Sequence, residues 1–174
     1  MRSIYRYAAV VICLALVFAV QGAVQGADGK VIKSADGLTQ ITVPKDWKEM
    51  KNLNAEASIQ AALARQELYV IVITESKEDF DKMTVNKYSE LTRASILEAL
   101  SSAKEEKVGT MTIAGRQALQ YKIQGSIDNL KVVYLHTTVE GKGHFHYVLA
   151  WTLKSKYEKG KDVLQQVIKS FKEI

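Results

Sequence analysis

The sequence predicts an α+β domain with a central, mainly antiparallel β-sheet, and three stretches carry that prediction. Residues 131–153, KVVYLHTTVEGKGHFHYVLAWTL, set two runs rich in Val, Tyr, Thr, Phe and Trp on either side of Gly141-Lys142-Gly143. Such residues fit a pleated, half-buried surface, and glycines supply the positive φ of a tight turn. Residues 68–74, LYVIVIT, are nearly unbroken in their apolarity, as a central strand buried on both faces must be. Between these two, Val85, Tyr88, Thr92, Ile96, Ala99, Leu100 and Ala103 fall on one stripe at 100° per residue, with Lys87, Glu90, Arg93, Glu98 and Lys104 elsewhere. That is the pattern of an amphipathic helix laid on a sheet.

The chain of 174 residues is 47% hydrophobic and 25% charged, the composition of a globular domain with one sizeable core. Residues 1–26 read as a secretory signal peptide. Arg2 and Arg6 make a positive start, residues 8–20 an apolar run, and Val20-Gln21-Gly22 and Val24-Gln25-Gly26 put small residues where a signal peptidase cuts. The run is shorter than the roughly 20 apolar residues that span a bilayer, so cleavage is expected, with a retained N-terminal anchor as the alternative. A single domain over residues 27–174 follows, periplasmic or secreted. Cys13, the only cysteine, sits in mid-run after the bulky Val11-Ile12, which argues against lipid attachment and leaves the exported domain without disulfide or thiolate metal site. Without Arg2 and Arg6 the 24 basic residues become 22 against 19 acids, a net charge of +3 in place of +5. The excess is scattered among Glu and Asp, which excludes a nucleic-acid footprint.

In chain order, residues 31–34, a turn at Ala35-Asp36-Gly37 and residues 38–43 make a first hairpin with Leu38, Ile41 and Val43 inward. Pro44, the only proline, ends the strand because it cannot donate to a ladder, and Trp47 is a core anchor. Residues 54–65 are ambiguous: their Ala, Glu and Gln favour helix, while 58–61 alternate weakly like a strand. A strand over 57–63, joined to 68–74 through 64–66, is the favoured reading. The helix starts at Thr84 as N-cap. Residues 108–113 and 118–124 form strands around the turn at Ala114-Gly115, with Leu119, Tyr121 and Ile123 alternating against Gln120, Lys122 and Gln124. A turn at 125–129 leads into the long hairpin. Residues 156–174 form a closing helix with Val163, Val167, Ile168 and Phe171 on one face and Ser155 as its cap.

Parity selects the hairpin register. With Glu140 opposite His144 across a three-residue loop, Val139 faces Phe145, Thr137 faces Tyr147, Leu135 faces Leu149 and Val133 faces Trp151, all on one side. A slip of one residue would set Glu140 against Phe145 and Val139 against His146, mixing apolar and polar partners on both faces. The three-residue loop, with Gly143 in the left-handed region, is therefore expected. The opposite side then carries His136, Glu140, His144 and His146 near the turn, and a helix covers only its far half. His144 and His146 at i and i+2 share a side, Glu140 lies across from His144, and His136 is diagonal to His146. Imidazoles and a carboxylate so placed can bind Zn²⁺ or Cu²⁺. The alternative is a solvated strand end whose three histidines titrate near 6.5 and tune attachment to anionic envelope surfaces.

A strand ending in Val43-Pro44 with Trp47 beyond it, the strand LYVIVIT, the long helix, the turn Ile113-Ala114-Gly115-Arg116-Gln117-Ala118, the central hairpin and a terminal helix closing on Ser170-Phe171 together resemble the PsbP-like superfamily. The DcrB-like periplasmic branch is the most similar. Over residues 38–172 the resemblance implies an α/β/α sandwich around the antiparallel sheet and accessory or binding roles without catalysis. It also implies metals in some members, with ligands not matched here residue by residue. No Gly-x-Ser-x-Gly elbow, phosphate-binding glycine loop or His-Glu-x-x-His occurs. The expectation is a non-enzymatic binding or assembly factor with an envelope protein as partner. A divalent-metal-binding protein and a hydrolase of unknown type are the alternatives.

Overall fold

In a computed structural model, residues 29–174 are described; the signal peptide expected at 1–26 lies outside the described residues. Among the described residues, ten strands and two α-helices follow one another as β1 (Gly29–Lys33), β2 (Thr39–Pro44), β3 (Lys48–Glu49), β4 (Ile59–Leu63), β5 (Leu68–Ser76), α1 (Val85–Ala99), β6 (Ser101–Ile113), β7 (Arg116–Ile127), β8 (Leu130–Glu140), β9 (His144–Leu153), α2 (Tyr157–Lys169) and β10 (Lys172–Glu173). Seven strands form one antiparallel sheet in the order β3-β4-β5-β9-β8-β7-β6, and β1, β2 and β10 form a second. The α+β expectation holds, and so does the central place of β5 between β4 and β9. The ambiguous stretch 54–65 resolves as strand β4 with a 3₁₀ turn at Ala64–Gln66 leading into β5.

Alternation along β5 sends its side chains to two cores. Leu68, Val70 and Val72 join Leu135, Val139, Val148 and Ala150 beneath Leu164, Val167 and Ile168 of α2 and Phe171 just past its end. Ile32, Ile41 and Val43 of the small sheet and Trp47 complete this layer. Ile71 and Ile73 face the other way, toward α1, on the side that also holds Leu149, Tyr88, Leu119 and Phe145. Helices thus lie on both faces of the large sheet, which is what makes β5 apolar on both sides.

Several local expectations are corrected. α1 starts on Thr84, whose hydroxyl accepts from the Lys87 amide, but ends at Ala99. Leu100 is extended and buried, so Ala103 belongs to β6. Arg93 is not on the solvent side: it is 8% exposed, its guanidinium lies 3.5 Å from the Tyr121 ring centroid, and it pairs with Glu105. The β7–β8 connection narrows to Asp128-Asn129, both at positive φ (48° and 66°), the two-residue turn that matches strand twist. Ser155 does not cap α2, which begins after Lys156 without a side-chain cap and stops at Lys169. There the Ser170 hydroxyl donates to the Thr42 carbonyl and accepts from the Thr42 amide at 3.0 and 2.8 Å, so the chain turns into β10 and adds to the small sheet.

The long hairpin forms with the register one residue away from the expected one. Glu140 faces Phe145, Val139 faces His146, Leu135 faces Ala150 and Tyr134 faces Trp151. Gly141 donates its amide to the His144 carbonyl at 2.9 Å, and Gly143 is not in the left-handed region. The expected register leaves the turn end of one face to solvent, whereas both faces of this hairpin are packed. Polar side chains are buried on both faces instead, and several of them find partners there. Gln120 donates to the Thr137 hydroxyl and exchanges hydrogen bonds with Gln165 of α2. Lys77 bonds Glu140 at 2.9 Å while its ammonium lies 5.0 Å from the Phe145 ring centroid, so the mixed Glu140–Phe145 pair is satisfied by one cation.

Candidate functional site

The same register separates the four proposed metal ligands. His136 and Glu140 lie on the α1 face, His144 and His146 on the α2 face. The set His136, Glu140, His144 and His146 therefore does not converge, and no group of three or more His, Cys, Asp or Glu among the described residues is arranged to hold a metal ion. Each member has another occupation. Glu140 pairs with Lys77. His136 is fully buried, stacks on Tyr147 at 5.3 Å between centroids, and meets Thr92 Oγ1 through Nε2 at 2.9 Å. The Thr92 hydroxyl thus stands within hydrogen-bond distance of both His136 Nε2 and the Tyr88 carbonyl, each at 2.9 Å. His146 is also fully buried; its Nδ1 meets Thr74 Oγ1 at 3.0 Å, and its Nε2 lies 3.6 Å from Glu173 Oε1, beyond hydrogen-bond reach. His144, partly exposed, lies 3.9 Å from the same oxygen.

The expectation that all three histidines titrate near 6.5 is corrected as well. Burial pushes His136 down to about 3, helped by the charge of Arg93. Burial likewise pushes His146 down to about 4, against the pull of Glu173 and with the repulsion of His144 and Arg116.

The tip is closed by the chain's own end. Glu173 accepts from the Lys142 amide at 3.2 Å and pairs with Arg116 at 2.7 Å. This closure needs Gly141: a Cβ there would stand 2.6 Å from both Glu173 Oε1 and His146 Nε2 and 2.9 Å from the His144 carbonyl oxygen. Gly141→Ala is expected to destabilise the domain by about 1–3 kcal/mol, the usual range for overpacking. A urea unfolding midpoint unchanged by the substitution would contradict that geometry.

On the α1 face a groove opens that the sequence pattern did not reveal. α1 packs on β6, β7, β8 and β9, and between it and β5 runs a half-open channel of about 490 Å³. Ile71, Ile73, Tyr134, Tyr147 and Leu149 form its floor; Leu91, Thr92, Ser95 and Ile96 of α1 form one lip, and Asn54 and Glu56 stand on the other. Glu75 closes one end, and Leu100 and Ile127 the other. A volume of this size with an apolar floor and a few polar rim groups is typical of binding clefts. The helical stripe reads as wholly core. Its polar Thr92 and its small Ala99, which is exposed, carry too little apolar volume to fill the space, and that shortage was the available signal.

No family model and no curated protein sequence matches this chain. Solved structures do. The solution structure of cyanobacterial PsbP (CyanoP) from Synechocystis sp. PCC 6803 superposes with a TM-score of 0.59 at 14% identity, over 88% of this chain and 96% of that one. LpqN, involved in cell envelope biogenesis of Mycobacterium tuberculosis, gives 0.56 at 15% identity over 84% and 86%. The Saccharomyces cerevisiae Ran-binding protein Mog1p gives 0.53 at 12% identity over 84% and 96%. The fold is thus PsbP-like, as the order of parts implied. Among the described residues, no helix is long and apolar enough to cross a membrane.

Proposed function

We propose that this protein is an extracytoplasmic binding or assembly factor that acts by protein contact, holding a segment of an envelope partner in the groove between α1 and β5. The groove is the observation that carries this reading. Its floor comes from β5, β8 and β9, three adjacent strands of the large sheet, so the surface offered to a partner is preformed and needs little ordering on binding. The chemistry of the histidines supports binding over catalysis: His136 and His146 are fully buried, out of reach of any substrate as proton carriers. The CyanoP and LpqN likenesses support an accessory role, and residues 1–26 support export.

Ser95 is exposed on the α1 lip, so Ser95→Trp fills the groove without touching the core. Cross-linking in the envelope fraction is expected to join the wild type to one protein identified by mass, at least tenfold less to Ser95→Trp, and unchanged to the distant surface variant Lys156→Glu. Equal cross-linking by wild type and Ser95→Trp would remove the groove from the function. Export is checked separately by the intact mass of the mature protein, which is expected to lack the first 22–26 residues.

A further inference from the structure

We infer that the groove takes an apolar peptide segment bearing one Lys or Arg, seated with its cation between Glu56 and Glu75. The inference rests on the reading of the groove as the contact site and adds the chemistry of what fills it. The channel is polarised along β5. Ile71, Ile73 and Glu75 alternate onto the same face, opposite Leu149, Tyr147 and Phe145, so a guest passes from an apolar floor to a carboxylate over four residues, about 13 Å. That is room for about four residues of an extended guest, whose backbone groups stay free to bond. Glu56 stands on the lip at the same end, and the lining holds these two acids and no Lys, Arg or His.

Both carboxylates lack an ion pair among the described residues. The one partner given to Glu75 is neutral, the Tyr88 hydroxyl, which donates to it. The negative field falls on the groove itself: burial first, then Glu75 and Glu56, raise the Tyr147 hydroxyl to about 12. An uncompensated pair of acids at one end of an apolar cleft favours a guest with one cationic end, and disfavours an anionic one by like-charge repulsion. Asn54 and Ser95 on facing lips offer hydrogen-bonding groups that match a peptide backbone and that an acyl chain has no use for.

The test titrates the purified chain, by fluorescence anisotropy, against a fluorescein-labelled decapeptide of leucine and alanine with one lysine near its unlabelled end and against its glutamate counterpart. The lysine peptide is expected to bind at least tenfold tighter at low salt, and the difference to shrink in 0.5 M NaCl. Glu75→Gln keeps an acceptor for Tyr88, and together with Glu56→Gln it should erase the preference while leaving apolar binding. Ser95→Trp should abolish binding of both peptides. Equal affinity for the two peptides, both lost in Ser95→Trp, would overturn the cationic guest and leave the groove as a contact site. Peptide binding that survives Ser95→Trp, or no peptide binding at all, would overturn both. Co-sedimentation with phosphatidylethanolamine vesicles in place of peptide binding would assign the groove to lipid and sink the inference equally.

Discussion

Lowering the pH from 7 to 4 is expected to remove about 3–6 kcal/mol of folding stability, because two buried imidazoles must stay neutral in the folded state. His136 is pushed down to about 3 by burial and Arg93, and His146 to about 4 by burial with His144 and Arg116, against Glu173. In the unfolded chain both return to about 6.5. A group whose folded pKa is depressed binds fewer protons folded than unfolded throughout the window between the two values. Stability is therefore intact above about pH 6.5, falls as the pH drops, and stops falling for His146 near 4 and for His136 near 3. Each group contributes up to about 1.36 kcal/mol per pH unit. Glu173, whose carboxyl is also held low by the Lys142 amide and Arg116 despite burial, adds a loss of the same sign in the more acid part of the range. Urea unfolding at pH 7, 6, 5 and 4 measures the effect, and His146→Gln should shallow the slope by up to one proton. A stability curve flat from pH 6.5 to 4.5 would mean that neither ring is enclosed as described.

This behaviour is the reverse of what the sequence suggested for the same residues, and the reason is the hairpin register. Alternation in residues 131–153 announces strands, and a run such as LYVIVIT announces a strand covered on both sides. What alternation cannot supply is which polar residues a doubly covered sheet will accept. Val139 opposite His146 looked like a mismatch, yet Thr74 meets the imidazole and Gly141 leaves room for Glu173 beside it. Glu140 opposite Phe145 looked like another, yet Lys77 serves both. Thr74 and Lys77 come from the β5 strand and its end, and Glu173 from the last residues of the chain, so the partners lie 27 to 72 positions away. A local reading has no access to them.

Elements with strong local signals emerged where expected. Thr84 caps α1, Pro44 closes β2, and Ala114 and Gly115, both at positive φ, turn the chain between β6 and β7. Boundaries that depend on tertiary contacts did not. The periodic pattern of α1 runs on to Ala103, but Leu100 is drawn into the sheet beside Gly125, where a Cβ would stand 2.8 Å from that of Leu100. The groove was illegible for a related reason: periodicity shows which side of a helix faces inward, and the depth of the space beneath it depends on where α1 comes to rest on β6–β9.

Trp47→Ala should lower stability by about 3–5 kcal/mol, the range for removing a large buried aromatic, and with it the melting temperature by about 10–15 °C. Trp47 is fully buried and belongs to the cluster that joins Ile41 and Val43 of the small sheet to Ile59, Ala61 and Leu63 of the large one. Its backbone amide donates to the Pro44 carbonyl at 3.1 Å, so the proline that ends β2 also aims the indole inward. The indole Nε1–H finds no hydrogen-bond partner among the described residues, and an unmet buried donor opposes folding by about 1–3 kcal/mol. Trp47→Phe separates the two contributions. It keeps an aromatic plug and discards the unmet donor, so it should fall well short of the alanine loss, at about 1 kcal/mol or less. A phenylalanine variant as unstable as the alanine one would show that Nε1 makes a bond in solution. An alanine variant within about 1 kcal/mol of wild type would show that the two sheets do not depend on this ring to stay together.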